Sequence, residues 1–585
     1  MAAGGAAAAA ALALTAVVGF LVAGVSSGPV DWGELLTSSV WDPAGGRFGG
    51  TAMVWGTAAV AVVALALAAP VGWAAAVAIV ELAPPRWRRV LRAVSELLAV
   101  VPSIVYGLVG IAYLRPFVSD LAGVPGGDSL LAAGLVLAVM ILPTIVAVSA
   151  DVLADVPGEW REAAAAGGLT RTEVVRRAVL PSARRGMGAA ALLGLARAMG
   201  ETIAVFLVVG RADGRFPSDL ADMAERLVRP GQTITTKLNG PESVLAGTSG
   251  AHWAALCALG LLLLGGVVVL TVAAQRRSPG DGSPLGRRGR RLGRRGDAGV
   301  RSLAVARVAR DRAARLAAAG ALGVVVLVVV AVVVAVVRRA GAALDPGFWF
   351  ERSSGASGGG VRDQLAGTVL LVAVAGLLAA PVGLGLGLVL HEYAGRRTAR
   401  WLRSLTLTLA GVPSIVLGLW GYWLFSTRLG WGKSWLAGSI VLAVLAVPPV
   451  VVAVSAALAA LPPERREAAL GMGLRRVQLV RSVLAPHALP GLVTGLLLGL
   501  ARAAGETAPL LFTATVFSGA PPLPSGVVES PVVALPTHIF TLAQDAADPA
   551  AVRTAWGAAL ALVVVAGGLV LAAVPARRRL ERAAA

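Results

Sequence analysis

From Ala319 to Val337, nineteen residues pass without a polar side chain. The hydrocarbon core of a bilayer is about 30 Å thick, and a helix needs about 20 mostly apolar residues to cross it. Twelve segments of this kind follow one another, at about 8–27, 52–80, 95–114, 129–150, 187–210, 251–274, 319–337, 365–390, 404–426, 436–460, 488–515 and 554–575. Composition agrees, with 57% hydrophobic and 14% charged residues, where soluble domains run roughly 45–50% apolar and about 25% charged. The single Cys257 rules out a disulfide scaffold. Aromatics at 5% offer little for stacking on nucleic acid, and no nucleic-acid partner is expected. The expected fold is an all-α polytopic membrane protein. No charge precedes the first segment within residues 1–10, so an uncleaved helix is expected there rather than a signal peptide.

The chain repeats itself. Pro70, Val71 and Gly72 return 311 residues later as Pro381, Val382 and Gly383, and Glu81 returns as Glu392. Val101-Pro102-Ser103-Ile104-Val105 matches Val412-Pro413-Ser414-Ile415-Val416 at the same offset. Further on the offset is 305, pairing Glu162-Ala163-Ala164 with Glu467-Ala468-Ala469, Gly168 with Gly473, and Pro181 with Pro486. Arg197, Glu201 and Thr202 pair with Arg502, Glu506 and Thr507. The reading is two six-helix halves, 1–275 and 316–585, joined by an Arg-rich linker at 276–315. An even number of helices per half makes the repeats parallel, related by an axis along the membrane normal.

Charge sets the expected orientation. The net +20 is spread unevenly. Loops on the linker's side (81–94, 151–185, 276–315, 391–403, 461–487, 576–585) hold 36 basic and 13 acidic residues, against 14 and 16 on the other. The positive-inside rule then makes the linker side cytoplasmic, with the N-terminus, linker and C-terminus on it. The linker itself reads as a tether and orientation signal more than as a lipid- or nucleic-acid-binding tract.

In the loop between the fourth and fifth segments of each half, a proline opens a short helix with acids in its first turn. A glycine then allows a sharp bend, and a second amphipathic stretch stops before Pro181 or Pro486. By spacing alone these are interfacial helices. The order Glu162-Ala163-Ala164, Gly168, Leu180-Pro181 resembles the EAA motif of ABC-importer permeases, EAA-x3-G-x9-I-x-L-P. Ala178 and Ala485 depart from it where Ile and Leu are usual. More closely, 101–107 and 196–202 resemble the PstC-type phosphate-transport permease, and 413–418, 502–511 and 530–540 resemble its PstA-type partner. The resemblance implies an ABC importer type I permease fold, with both subunits in one chain. It implies that the EAA loops (Glu162, Ala163, Ala164, Gly168, Pro181; Glu467, Ala468, Ala469, Gly473, Pro486) dock on two copies of a cytoplasmic ATPase. It implies an extracytoplasmic phosphate-binding protein and a bacterial inner-membrane location. No cofactor is expected on the chain itself. Neither Lys237 nor Lys433 lies in a G-x4-G-K-[ST] pattern, so ATP would be used by the partners and the chain is not expected to be an enzyme.

Charges within an apolar span are costly and usually face a cavity or the bundle interior. Arg197 with Glu201, and Arg502 with Glu506, stand four apart on one helical face. Arg offers phosphate a planar fork, and a nearby Glu keeps such a site weak enough to release. A buried structural salt bridge explains the same pairs equally well. Thr202 and Thr507 accompany them. Pro102-Ser103 and Pro413-Ser414 interrupt their spans, either lining a path or kinking helices packed through Gly107 and Gly110. The expected function is inward phosphate transport by alternating access. A permease for another oxyanion such as molybdate or sulfate, a twelve-helix secondary transporter and a phosphate-sensing scaffold are the alternatives.

Overall fold

The computed structural model describes residues 2–214, 216–247, 250–277, 300–353, 359–516, 524–544 and 548–584. The Arg-rich centre of the linker, 278–299, lies outside the described residues. The first half builds α1 (Ala2–Val25), α2 (Thr51–Val77), α3 (Pro85–Val100), α4 (Ser103–Val109), α5 (Leu130–Ala154), α6 (Gly158–Ala166), α7 (Leu180–Gly200), α8 (Ile203–Phe206), α9 (Ile234–Leu238) and α10 (Gly250–Arg277). The second half repeats the series. It runs α11 (Val300–Arg339), α12 (Arg362–Leu388), α13 (Arg396–Gly411), α14 (Ser414–Gly421), α15 (Trp435–Ala459), α16 (Pro463–Gly471), α17 (Ala485–Ala504), α18 (Ala508–Thr513), α19 (Leu535–Gln544) and α20 (Pro549–Ala584). A two-residue hairpin pairs Trp41 with Phe48 and Asp42 with Arg47.

Among the described residues nine helices are long and apolar enough to cross a membrane. A tenth forms if α13 and Ser414–Arg428, bent by 91° at the intervening break, make one span. Ten of the twelve expected segments thus have a candidate span among the described residues, counting the bent pair as one, and those at 8–27 and 187–210 do not. The segments at 95–114 and 404–426 break at Val101-Pro102 and Val412-Pro413, where proline cannot donate and cannot follow a helical residue without a clash. Those at 187–210 and 488–515 stop early, at Gly200 and Ala504. In the first segment, Ala13–Val25 forms a shorter apolar helix.

Within each half, α2 packs on α5 and α12 on α15, and α7 packs on α10 and α17 on α20. Small residues let these helices approach closely, as expected where lipid supplies no hydrophobic drive. Gly72 faces Ile145 and Gly383 faces Val450 with no room for a Cβ. The leading helices are exchanged: α1 packs on α12 of the second half, and α11 packs on α2 of the first. One apolar core spans both halves. Two smaller clusters, around Leu153 and Val179 and around Leu458 and Leu484, lie under the two EAA loops.

Candidate functional site

The four breaks meet in the middle of the molecule. Pro102 and Pro413, extended at ψ 144° and 133°, lead into α4 and α14. Each break meets the other half's Gly-Glu-Thr turn. A Cβ on Gly505 would lie 2.9 Å from Pro102, and one on Gly200 would lie 3.6 Å from Pro413. Gly107 is tight because α4 lies on α8, with the Leu207 side chain 2.6 Å from where a Cβ would be. The prolines thus end one helix and start another, each against the other half's turn, beyond the kink that Gly107 and Gly110 would ease.

A cavity of about 440 Å³ opens at this crossing. Arg197, Glu201, Arg502 and Glu506 line it with Pro102, Ser103, Pro413 and Ser414. Eight of the ten residues expected on a substrate path are therefore brought together. Thr202 and Thr507 are buried beside it, and neither hydroxyl finds a protein partner. Arg197 Nη1 donates to Thr144 Oγ1 at 3.0 Å. Arg502 lies 3.8 Å from Glu506. Arg before Glu is the weaker order for a local pair, and pairing across the halves is as much expected. The local pair is present in the second half and absent in the first, where α7 ends at Gly200 and Glu201 turns out of helical geometry (ψ 131°), and no cross-half ion pair forms among these four residues. The Ala204 amide and the Ser103 hydroxyl point at the Glu201 carboxylate instead. Thr271, Ala274 and Gln275 of α10 also line the cavity, so it reaches towards the linker side. Past the breaks the halves close, with the Phe206 and Phe540 rings 5.3 Å apart between centroids.

The turns are held by a device repeated in both halves. Thr57 Oγ1 accepts from the Ile234 amide and Thr368 Oγ1 from the Leu535 amide, both at 2.9 Å. Beside them Gly56 and Gly367 face the Gln232 and Val533 carbonyls so closely that a Cβ would lie about 2 Å away, and only glycine permits such an approach.

The two EAA loops form as expected. Pro157 and Pro462 precede α6 and α16, and Gly168 (φ +76°) and Gly473 (φ +81°) take the left-handed conformation that makes the bend. Glu162, Ala163, Glu467 and Ala468 are exposed, Ala164 is half-buried and Ala469 is buried. Pro181 and Pro486 sit in the first turns of α7 and α17. Sequence reasoning missed what anchors these loops. Arg161 meets Glu81 at 2.8 Å and donates to the Leu153 carbonyl at 2.7 Å and to the Val156 carbonyl. Arg466 makes a bidentate pair with Glu392 at 2.9 and 3.0 Å. The shared offsets of these four residues were the available signal. The first loop has a further tie. Arg307 of α11 holds Glu173 with two hydrogen bonds, 2.5 and 3.0 Å, and Asp311 accepts from Thr172 N and Oγ1. The Arg307 guanidinium holds the Glu173 carboxyl down at about 2.

Among the described residues no group of three or more His, Cys, Asp or Glu could hold a metal ion. The family described as the binding-protein-dependent transport system inner membrane component matches residues 68–278 and 381–574. The chain is 42% identical over 193 residues to the probable ABC transporter permease protein YqgH of Bacillus subtilis, covering 33% of this chain and 61% of that protein. It is 34% identical over 249 residues to the phosphate transport system permease protein PstC of Mesorhizobium japonicum, covering 39% and 73%. It is 38% identical over 213 residues to PstA 2 of Mycobacterium bovis, covering 36% and 70%.

Proposed function

The chain belongs to the binding-protein-dependent transport system inner membrane component family, and on that premise we propose that it is the whole transmembrane part of an ATP-driven phosphate importer. A PstC-like half at 1–275 and a PstA-like half at 316–585 share one polypeptide, joined through 276–315. The observation that carries this reading is the cavity itself, set where the two repeats cross and lined by an arginine and a glutamate from each. Relatives named as PstC and PstA phosphate permeases supply the substrate class.

Arg502, about half exposed to the cavity, presents its fork to phosphate, while Arg197 is steadied by Thr144. Glu201 and Glu506 keep the anion from binding too tightly, because a conducted ion must leave. The cavity reaches the linker side, which is the cytoplasmic side together with both termini, and the Phe206–Phe540 seam closes the other. A phosphate-binding protein delivers substrate there. Two cytoplasmic ATPases dock on α6 and α16, supply the ATP chemistry and rock the halves. The chain binds no nucleotide and is not an enzyme.

The test is radiolabelled phosphate uptake by vesicles holding the chain, its ATPase and its binding protein. Arg197→Ala and Arg502→Ala should each abolish uptake. Normal uptake in both would remove the arginines from the path. Competition by molybdate or sulfate would shift the substrate, and uptake driven by an ion gradient without the ATPase would mark a secondary transporter.

A further inference from the structure

Arg184 and Arg185, in the first turns of α7, and Arg276 and Arg277, at the end of α10, line a second recess of about 400 Å³. Gly188 also lines it, and no described heavy atom lies within 4 Å of where its Cβ would be. Among the described residues, no acidic one contributes to the lining. Five other arginines on this side are answered by carboxylates: Arg92 by Asp151, Arg161 by Glu81, Arg307 by Glu173, Arg315 by Asp311 and Arg466 by Glu392. Among the described residues, none of the four has such a partner.

An orientation signal needs basic residues near the ends of spans but does not need them to converge. At the 305 offset, Leu489 and Pro490 stand where Arg184 and Arg185 do, so the repeat does not demand them either. Position adds a second argument. Along α7 the arginines are followed by Gly186, Ala189 and Arg197, and along α10 they are preceded by Thr271, Ala274 and Gln275, all lining the central cavity. The recess thus adjoins the linker-side end of that cavity. Four guanidinium groups repel one another unless an anion sits among them, and their planar forks suit phosphate oxygens.

We propose that this recess binds a phosphate-group anion, either free phosphate leaving the cavity or the headgroup of an anionic lipid. Its service as an exit station rests on the transport reading above. Its capacity to bind the anion does not.

The test uses the purified full chain and two variant sets. Arg184→Gln, Arg185→Gln, Arg276→Gln and Arg277→Gln together remove the charge. The four Arg→Lys changes keep the charge, and so the orientation signal, but lose the forks. Thermal unfolding confirms that each set folds. Equilibrium binding of inorganic phosphate is measured in detergent, in an Arg197→Ala/Arg502→Ala background as well. Retained lipid is measured by native mass spectrometry after passage through vesicles of phosphatidylcholine and phosphatidylglycerol in equal parts. If free phosphate is the occupant, a site that survives loss of the cavity arginines weakens about tenfold or more in the Gln set, the order of one charge-assisted hydrogen bond. The Lys set should lie between. If lipid is the occupant, the wild type retains phosphatidylglycerol and the variants lose it. Equal binding of both probes by all three proteins overturns the proposal. Anion binding at the recess in a chain that takes up no phosphate would sink the transport reading alone, and normal uptake with unaltered binding would sink this one alone.

Discussion

The ion pairs that anchor the EAA loops make the sharpest prediction. Glu392 has a side chain only 1% exposed and takes two hydrogen bonds from Arg466, which is 39% exposed. Arg466→Ala leaves that carboxylate buried without its partner. Removal of one member of a fully buried pair costs roughly 3–5 kcal/mol, and the exposure of Arg466 lowers the expectation to about 2 kcal/mol, since solvent screens the exposed side. Arg161→Ala should cost more, because Arg161 also serves the Leu153 and Val156 carbonyls, each worth about 1 kcal/mol as a hydrogen bond. Removing both members, as in Glu392→Ala/Arg466→Ala, should recover part of the loss. The assay is a double-mutant cycle on unfolding midpoints of the purified chain, run beside phosphate uptake and substrate-stimulated ATPase activity. A loosened loop should leave ATP hydrolysis running while uptake falls. Arg466→Lys keeps the charge but not the bidentate geometry and should be intermediate. Strict additivity in the cycle, or single variants with wild-type uptake and stability, would refute the anchoring role.

Three further expectations follow from the geometry. Gly505→Ala places a Cβ 2.9 Å from Pro102 of the other half and should cost about 1–3 kcal/mol, while Gly200→Ala meets Pro413 at 3.6 Å and should be tolerated; thermal unfolding distinguishes them, and equal behaviour would contradict the asymmetry. Thr57→Val and Thr368→Val each strip the acceptor from a buried amide and should destabilise by about 1–3 kcal/mol, measured the same way. The carboxyl of Glu173, held at about 2 against an ordinary 4.5, stabilises the docking of α11 fully above about pH 4.5 and loses that contribution as pH falls towards 2. Label-to-label distances between α11 and the first EAA loop should therefore hold steady from pH 8 to 5 and lengthen only below, and lengthening near neutral pH would refute the assignment.

The repeat carried most of what could be read from the sequence. Two copies of Pro-Ser-Ile and two of Arg-x3-Glu located the cavity lining. The EAA loops, with glycines at positive φ, formed where their spacing required. The shape of the spans was less legible. Apolar length reports that a segment sits in lipid, but not that residues 187–210 stop being a helix at Gly200. That stop goes with Thr235 holding the Glu201 carbonyl at 2.9 Å and with Pro413 arriving beside Gly200 from 213 residues further along the chain. Glu81 and Glu392 were visible as a matched pair but had no role until Arg161 and Arg466 folded onto them. Gly56 and Gly367, lost among 72 glycines, matter only because a distant carbonyl approaches them. In each case the deciding partner lies far away in sequence, where local pattern carries no information.

The exchanged leading helices put the halves out of step with their own synthesis. The flank of α2 that α11 covers stays bare until residue 339 has been made, 62 residues after α10 ends at Arg277, or roughly 3–12 s at about 5–20 residues per second. The wait for α1 is longer, because its partner α12 ends at Leu388, 363 residues after Val25, roughly 20–70 s at the same pace. Neither half can reach its final packing before the other has been threaded into the bilayer. A single polypeptide guarantees that the late-arriving helix is always at hand, at equal dose and on the right side, which two separately made chains would have to achieve by encounter.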